Sequence, residues 1–223
     1  MEPLWRVEFH CHTIASKDSL VKPEALVAEA ARRGVDCLIV TDHNRIDGAL
    51  RAQARAPDRV VVGEEIKTTR GELLAAFVRE AVPPYLTPGE TIARLRDQGA
   101  FISVSHPFDL QRSGWQLPDL LEIAPYVDAI EVFNARCLDA GMNQHAAEFA
   151  RQHHLPGTVG SDAHTLGEVG RATLLLPRFS GADELRQVIW QGQPQVQLSS
   201  WTVHLESAYA RWRKRVFPPR QQG

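Results

Sequence analysis

The chain has few cysteines, no long apolar run and no excess of one charge. Its three cysteines, Cys11, Cys37 and Cys137, cannot all pair, so they do not indicate a disulfide framework. No apolar run reaches the roughly 18 residues of a membrane-spanning helix, and the opening MEPLWRVEFH lacks the basic and apolar segments of a secretory signal. These absences predict a soluble, cytoplasmic protein with reduced thiols and no membrane partner.

The charge balance and composition are those of an ordinary globular protein. With 25 basic and 27 acidic residues the formal net charge is −2, which excludes a surface coated in positive charge. No internal repeat or long linker divides the chain, so we expect a single domain over residues 1–223. The basic run RWRKR at 211–215 is predicted to be the solvated face of a terminal helix, and it supports nucleic-acid contact only weakly.

Short apolar runs alternate with segments of helical periodicity along most of the chain. Strands are predicted at residues 5–9, 36–41, 59–62, 73–78, 100–104, 127–133 and 157–160. Helices are predicted at residues 23–33, 88–98, 143–153, 182–191 and 208–216. Such alternation is typical of βαβ units, so the sequence predicts one α/β domain with a mainly parallel sheet.

Histidines and carboxylates follow five of the predicted strands. In chain order, these strands are followed by His10 and His12, Asp42 and His43, Glu64 and Glu65, His106, and Asp162 and His164. Each pair or single residue alone is weak evidence, because a histidine after a strand is more often a hydrogen-bonded loop residue. The carboxyl ends of parallel strands lie on one face, however, so the five segments together predict one site.

The predicted cluster needs a cation, because crowded carboxylates raise one another's pKa. Mixed imidazole and carboxylate ligands suit Zn²⁺, Mn²⁺ or Fe²⁺ better than Ca²⁺ or Mg²⁺. Alternate side chains of an extended segment point the same way, so His10 and His12 can face one ion while Cys11 points elsewhere. We therefore interpret Cys11 as a small buried filler, since no thiolate-stabilising partner is evident for it.

The motifs HCH, TDH, GEEI, SHPFD, EVFNAR and GSDAH together resemble the PHP (polymerase and histidinol phosphatase) domain. The resemblance runs from about residue 7 to about residue 175 and keeps the family's motif order. Within that family the chain looks most like the stand-alone metal-dependent phosphoesterases. The resemblance implies an α/β fold, a distorted (β/α)7 TIM-like barrel, with two or three divalent metal ions at its carboxyl-terminal face.

The resemblance also implies individual ligands. The G-x-E-I pattern selects Glu65 over Glu64 as a carboxylate that bridges two ions, and Glu72 stands where relatives often carry His or Glu. One ion would take His10, His12, Glu65 and Asp162, and a second would take Glu65, Glu72 and His106. A third would take Asp18, His43 and His164. Asp162 and His164 are the residues expected to have catalytic roles.

The activity implied is hydrolysis of a phosphate ester by a metal-bridged hydroxide. The substrate would be a small phosphomonoester, a nucleotide or an oligonucleotide, with Arg112, Asn134 and Arg136 as candidate substrate-binding residues. Two alternatives stay open, an amidohydrolase-type hydrolase and a non-catalytic, metal-stabilised scaffold. With no long insertion between the motifs, we expect an open pocket, and the sequence does not predict the oligomeric state.

Overall fold

The computed structural model describes residues 3–217, in which nine strands form one curved sheet. The strands are β1 (Trp5–Cys11), β2 (Cys37–Val40), β3 (Val60–Lys67), β4 (Glu72–Ala76), β5 (Phe101–Val104), β6 (Ala129–Asn134), β7 (Gly157–Gly160), β8 (Ala172–Leu176) and β9 (Gln193–Val196). Their order in the sheet is β7-β6-β5-β4-β3-β2-β1-β8-β9. The first seven strands therefore follow one another around the sheet, and β8 and β9 extend it beyond β1.

The sheet curves into a nearly closed, distorted TIM-like barrel, as the family resemblance predicts. Strands β1, β2 and β3 run parallel, as do β5, β6 and β7. Closure occurs beyond the end of β7, where Ala163 N donates to His10 O over 3.3 Å and His12 N donates to Ala163 O over 2.8 Å. Strand β4 is antiparallel to both of its neighbours, which departs from an all-parallel barrel.

Seven α-helices accompany the sheet in the described part of the chain. They are α1 (Pro23–Arg32), α2 (Asp47–Arg55), α3 (Pro88–Asp97), α4 (Leu117–Ile123), α5 (Ala140–Gln152), α6 (Ala182–Val188) and α7 (Val203–Val216). Proline in the first turn favours the start of α1, and reciprocal side-chain and backbone hydrogen bonds of Thr87 and Glu90 cap α3. Across residues 3–217 the structure has no helix with the length and apolarity to cross a membrane.

Apolar side chains fill two layers, one inside the barrel and one between the sheet and the helices. Strand β2 shows both, because its alternate residues point to opposite faces. Cys37 and Ile39 join an inner cluster to which distant strands also contribute, whereas Leu38 and Val40 pack in the outer layer with α1 and α2. A strand that is apolar on both faces reads as a continuous hydrophobic run, which is why β2 was predictable.

Strand β1 changes phase near its carboxyl end. Its register with β2 shifts between Glu8 and Cys11. Val7 and Phe9 belong to the inner cluster, whereas Cys11 belongs to the outer layer, where its thiol donates to Ile39 O over 3.3 Å. The residues on either side of Cys11 therefore face the mouth of the barrel, and Cys11 is the buried filler that the sequence predicts.

Candidate metal centre

The carboxyl ends of the barrel strands bring the predicted ligands into one cluster. Because β4 is antiparallel, its first residue, Glu72, reaches the same end as the last residues of its neighbours. An isolated bridge between His43 and Glu65 joins the loop after β2 to β3. The cluster consists of His10, His12, Asp18, His43, Glu65, Glu72, His106, Asp162 and His164, all of them shielded from solvent at least in part.

Two imidazole nitrogens of this cluster each lie close to the same two carboxylate oxygens. His10 Nε2 lies 3.4 Å from Glu65 Oε2 and 3.6 Å from Asp162 Oδ1. His12 Nε2 lies 3.5 Å and 3.3 Å from the same two oxygens. Ligands about 2.1 Å from a zinc ion stand about 3.4 Å from one another at the corners of a tetrahedron. The four nitrogen–oxygen distances match that spacing, and His10, His12 and Asp162 each offer one ligand atom within 4.8 Å of the other two.

Glu65 lies between this group and a second one. Its Oε1 atom is 3.2 Å from His106 Nε2, which is in turn 3.6 Å from Glu72 Oε2. The two oxygens of Glu65 therefore face different groups, the arrangement that a bridging carboxylate would have. The neighbouring Glu64 points away from the centre and accepts a hydrogen bond from Val82 N over 2.9 Å.

Asp18 organises a third group on the other side of His12. Its Oδ1 atom lies 3.3 Å from His43 Nε2 and 3.3 Å from His164 Nε2. The imidazole of His12 lies against both of these rings, with centroid separations of 4.4 and 4.1 Å. The structure thus brings together all three ligand groups that the family resemblance implies.

Several of these donor atoms are buried without a hydrogen-bond partner. Within residues 3–217 this holds for His10 Nε2, His12 Nε2, Asp18 Oδ1, Glu65 Oε2 and His106 Nδ1. His43 Nδ1 lies 2.8 Å from Glu65 Oε2 but is not aligned to form a hydrogen bond with it. Leaving such atoms unsatisfied costs about 1–3 kcal/mol each, and more where they carry charge, so proteins rarely leave so many together. Divalent cations bound by the cluster would satisfy all of these atoms except His106 Nδ1, because His106 faces Glu65 and Glu72 through its Nε2 atom. The donor set, imidazole nitrogen and carboxylate oxygen at 3.3–3.6 Å from one another, fits Zn²⁺, Mn²⁺ or Fe²⁺.

Hydrogen bonds at Nδ1 orient the imidazole rings of His10 and His12, so that the Nε2 atoms face the cluster. His10 Nδ1 lies 2.9 Å from Glu131 Oε1, and His12 Nδ1 lies 3.0 Å from Ser16 Oγ. Ser16 Oγ in turn donates to Asp42 Oδ1 over 2.6 Å. Such partners fix the tautomer and the orientation of metal-binding imidazoles. Both histidines therefore present Nε2 to the centre.

Glu131 is a site residue that the sequence analysis did not select. Besides His10, it accepts hydrogen bonds from His106 N over 2.8 Å and from Asn134 Nδ2 over 3.1 Å. It is fully buried in the middle of β6. The available signal was a single carboxylate inside an apolar run, because a buried charge needs partners.

The electrostatics of the centre depend on opposite charges at short range. Burial would raise the pKa of Asp18, but the imidazoles of His164 and His43, each 3.3 Å from its Oδ1 atom, lower it well below its usual value. Burial would likewise raise the pKa of Glu65, but His10 and His43 lower it well below its usual value. Burial raises the pKa of Glu72 to about 7, and the charge of Glu65 adds to that rise. The carboxylates thus need nearby positive charge to ionise together, as the sequence predicts.

A cavity of about 360 Å³ opens onto the cluster, and cationic side chains surround it. Lys67 donates to Ser113 Oγ over 2.7 Å at one edge. Arg112 binds Asp162 Oδ2, and its Nη2 atom donates to Asn134 Oδ1 over 3.1 Å. The predicted residue Arg112 therefore lies where an anion in the cavity would be bound, whereas Asn134 is buried behind it and does not line the cavity. Lys17, Arg136 and Arg211 also line the cavity.

Arg136 also supports the centre from below. Its Nη1 atom lies 2.7 Å from His164 Nδ1, and its Nε atom lies 3.2 Å from Glu168 Oε1. Its Nη2 atom donates to Ser207 Oγ of α7 over 2.8 Å. Only 4% of Arg136 is exposed, so its ion pair with Glu168 is buried and does not lie on the surface.

Helix α7 covers one side of the cavity, which corrects two expectations. It begins five residues before the predicted start at residue 208, and His204 and Ser207 line the cavity. Arg211 Nη1 lies 3.5 Å from Asp18 Oδ2, and Lys214 Nζ donates to Ile14 O over 2.6 Å. The expectation of a solvated basic face was therefore wrong for Lys214, whereas Arg211 stays half exposed at the edge of the cavity. The expectation of an uncovered pocket was wrong on the side that α7 closes.

Two residues of the centre have strained backbone. His106 has a φ of 22° and Asp162 a φ of 51°, values that residues other than glycine rarely adopt. Each such residue costs about 1–3 kcal/mol and persists only where its surroundings hold it. The hydrogen bond from His106 N to the Glu131 carboxylate, and that from Arg112 to the Asp162 carboxylate, supply such restraint.

Comparison with known proteins gives the family. Residues 8–83 match the family model described as PHP domain, and residues 141–194 match the model described as PHP-associated. The uncharacterized protein MJ0417 of Methanocaldococcus jannaschii is 35% identical over 171 residues, which cover 75% of this chain and 68% of that protein. The chain belongs to the PHP domain family. A second relative of this PHP domain, the uncharacterized protein MJ1587 of the same organism, is 31% identical over 144 residues, which cover 62% of this chain and 77% of that protein.

Solved structures share the barrel of this PHP domain. PsfC from Pseudomonas syringae PB-5123 superposes with a TM-score of 0.68 at 21% identity, covering 95% of this chain and 99% of that one. A candidate metal-dependent phosphoesterase from Bifidobacterium adolescentis gives 0.61 at 19% identity, covering 86% and 98%. The lesion-specific endonuclease EndoQ from Pyrococcus furiosus gives 0.61 at 16% identity, covering 86% and 57%. At these identities the likeness establishes the fold.

Proposed function

We propose that this PHP domain is a metal-dependent phosphoesterase. The observation that carries the proposal is the pair of buried, unpartnered nitrogens His10 Nε2 and His12 Nε2, which lie 3.3–3.6 Å from the Glu65 and Asp162 oxygens at the floor of a cavity. A structural role alone does not explain such a group, because partnered or apolar side chains would stabilise the fold better. In this proposal residues 1–223 act as one domain.

Two or three divalent ions, zinc, manganese or iron, would be held by the residues that the sequence predicts. His10, His12, Glu65 and Asp162 would hold the first, Glu65, Glu72 and His106 the second, and Asp18, His43 and His164 the third. When bound, such ions lower the pKa of a coordinated water towards about 7 and so supply hydroxide at neutral pH.

The side chains around the cavity favour a phosphate ester as the substrate. Phosphoryl transfer depends mainly on positioning and on neutralising charge, and a ring of cations beside a metal centre provides both. Arg112 and Lys67 are placed to contact phosphoryl oxygens, and Asn134 orients Arg112 through its side-chain carbonyl. Arg136, which also lines the cavity, would act on the same anion while holding His164.

Asp162 and His164 are the candidates for handling the proton of the leaving group. Both border the cavity, and the His164 Nδ1 and Asp162 Oδ1 atoms are 3.3 Å apart. A group in this position can shuttle a proton to the departing oxygen if the substrate lies between the cations and the cluster. The Arg112 contact to Asp162 would hold that carboxylate in place throughout.

The named structural neighbours support phosphoester chemistry without defining the substrate. One is named as a candidate metal-dependent phosphoesterase, and another as a lesion-specific endonuclease that acts on nucleic acid. We therefore propose a phosphate-ester substrate, either a small phosphomonoester or nucleotide or the backbone of an oligonucleotide. The cationic rim of the cavity suits any of these.

The experiment is hydrolysis of an aryl phosphate monoester and an aryl phosphodiester by protein stripped with a chelator and reloaded with Zn²⁺ or Mn²⁺. We expect metal-dependent turnover that His10→Ala abolishes and that His145→Ala, a change at an exposed position on α5, leaves intact. Turnover that survives both chelation and His10→Ala would refute the proposal. Cleavage of amides or lactones in place of phosphate esters would favour the amidohydrolase alternative, and bound metal without any turnover would favour the scaffold.

A further inference from the structure

Helix α7 has one face fixed to the barrel. Arg136 Nη2 donates to Val203 O over 2.9 Å and to Ser207 Oγ over 2.8 Å. At the other end of the helix, Lys214 binds the loop after β1. Val203, Ser207 and Ala210 are buried along this face. The orientation of α7 about its own axis is therefore set, and the opposite face must point outward.

That outward face carries a row of large apolar side chains. Leu205, Tyr209, Trp212 and Val216 are 48–59% exposed, and we call these four residues the outer stripe. Their spacings of four, three and four residues are those of the a and d positions of a heptad, the pattern of helices that pair side by side. Monomeric proteins seldom expose contiguous apolar side chains in this way.

The flank of α7 beside the outer stripe carries one acidic and one basic side chain, which can pair with the same two side chains of a second copy. Glu206 and Arg213 each follow a stripe residue directly, so both occupy e positions on one flank of α7, about 10 Å apart along its axis. Neither has an ion-pair partner within residues 3–217. A twofold axis perpendicular to the helix maps this flank onto itself and brings Glu206 to Arg213 of a second copy, twice. We propose that α7 forms an antiparallel, isologous dimer interface between two copies of this chain.

The register set by the charges also suits the apolar side chains. Pairing Glu206 with Arg213 of the second copy places the twofold axis midway between Tyr209 and Ala210. In that register, the stripe residues of the two copies alternate along the helix axes. Leu205 then lies between the second copy's Val216 and Trp212, and the two Tyr209 side chains lie beside each other at the centre. One register therefore satisfies both the ion pairs and the packing, as an isologous interface requires.

An apolar groove extends the interface beyond the two helices. It has a volume of about 710 Å³ and lies between α7 and the start of α1, with Leu20, Val21 and Leu166 forming its far wall. A second α7 seated on the outer stripe would contact this wall as well, which adds area to a short helix pair. An anionic membrane, which would attract Arg213 and Arg215 but repel Glu206, is the alternative occupant that the second test below distinguishes.

The first test measures the mass of the full chain in solution by light scattering over a wide range of concentration. We expect a dimer that dissociates on dilution, and we expect Trp212→Glu to make the chain monomeric at every concentration. Circular dichroism and thermal unfolding of the variant serve to show that it is folded. A wild-type chain that stays monomeric throughout, or a folded Trp212→Glu chain that stays dimeric, would overturn the proposal.

The second test uses charge reversal, which does not depend on removing apolar surface. Glu206→Arg or Arg213→Glu replaces both ion pairs with like charges, and each should weaken dimerisation roughly tenfold. The double variant restores the pairs with reversed polarity and should recover the wild-type dissociation constant. A double variant as weak as the sum of the single ones would refute the antiparallel register. A monomer that cosediments with anionic vesicles would assign the stripe to membranes instead.

Discussion

The barrel has one cavity at the amino-terminal ends of its parallel strands and another at their carboxyl-terminal ends. The larger cavity is at the amino-terminal end, which lacks the cluster of predicted metal ligands. The amino-terminal cavity measures about 1350 Å³ and the carboxyl-terminal one about 360 Å³. Phe77 and Phe179 line the amino-terminal cavity, and both pack in the inner apolar cluster. Cavity volume alone would therefore select the end of the barrel that lacks the cluster of predicted metal ligands.

What separates the two ends is how their polar groups are satisfied. At the amino-terminal end, Arg59 donates to Val35 O, and the Arg178 guanidinium lies 4.9 Å from the Trp5 ring centroid. Within residues 3–217, the residues that line this cavity have no buried side-chain nitrogen or oxygen lacking a hydrogen-bond partner. The carboxyl-terminal cluster has five such atoms. Buried side-chain nitrogens and oxygens that converge without hydrogen-bond partners are typical of a ligand-binding site, whereas a cavity whose polar groups are all paired is typical of a gap between helices and strands.

The largest effect in this comparison is expected from Glu65→Gln. The amide keeps the shape of the side chain but loses the charge that both neighbouring ligand groups face, so we expect kcat to fall about 10³-fold or more. We also expect the thermal stabilisation given by added Zn²⁺ or Mn²⁺ to disappear, since ligand that no longer binds cannot stabilise the fold. Metal content by elemental analysis and aryl phosphate hydrolysis measure the two effects.

Glu64→Gln is the matched control for that change, because the two residues are adjacent on β3 and point to opposite sides of the wall. It should retain metal content and turnover. If Glu64→Gln abolished activity while Glu65→Gln did not, the assignment of the centre to this end of the barrel would be wrong.

Much of the fold was predictable because the strands of the barrel are short, apolar and bounded by turn residues. Strand β4 was predicted in the right place, but its direction was not, since alternation along one strand is the same in either sense. Strand β9 (Gln193–Val196) was missed because its residues are all exposed, so no hydrophobic period marks it. Helix α2 (Asp47–Arg55) was missed because its buried residues are only Gly48, Ala49 and Ala52.

The candidate site was predictable where a residue follows a strand, and not where it acts through another residue. His10 and Asp162 are recognisable from their positions, and the family resemblance separates Glu65 from Glu64. Glu131 was not found, because its role depends on contacts with His10 and His106 that only the folded chain creates. The inner face of α7 was missed for the same reason.

Glu64→Gln should also reveal how a buried carboxylate behaves away from the centre. Burial raises the pKa of Glu64 to about 7, opposed by one hydrogen bond from Val82 N. A carboxyl whose folded-state pKa is raised stabilises the protein fully below its unfolded pKa of about 4.5, and that stability is lost as the pH rises through about 7. The wild type should therefore lose up to about 3 kcal/mol relative to Glu64→Gln between these values. Urea unfolding across the range measures it, and parallel curves would contradict the pKa shift.

Glu131→Ala tests whether the carboxyl-terminal end depends on residues behind the ligands. Loss of the hydrogen bond to His10 Nδ1 frees the ring to rotate, so metal affinity should fall about 10- to 100-fold. Competition with a chromophoric chelator measures the affinity. Glu131→Gln, which keeps an acceptor oxygen for His10, should fall between the wild type and the alanine variant. Equal affinities in all three would remove Glu131 from the centre.

The smallest effect is expected from a change at the rim of each cavity. Lys67→Met removes a cation beside the metal centre, so the KM for an aryl phosphate should rise roughly tenfold while metal content stays the same. Arg178→Met removes a cation at the amino-terminal cavity and should leave KM unchanged, because that end takes no part in binding the phosphate. A higher KM in Arg178→Met with no change in Lys67→Met would mean that the substrate enters the larger cavity. The difference between the two ends would then lie in metal binding alone.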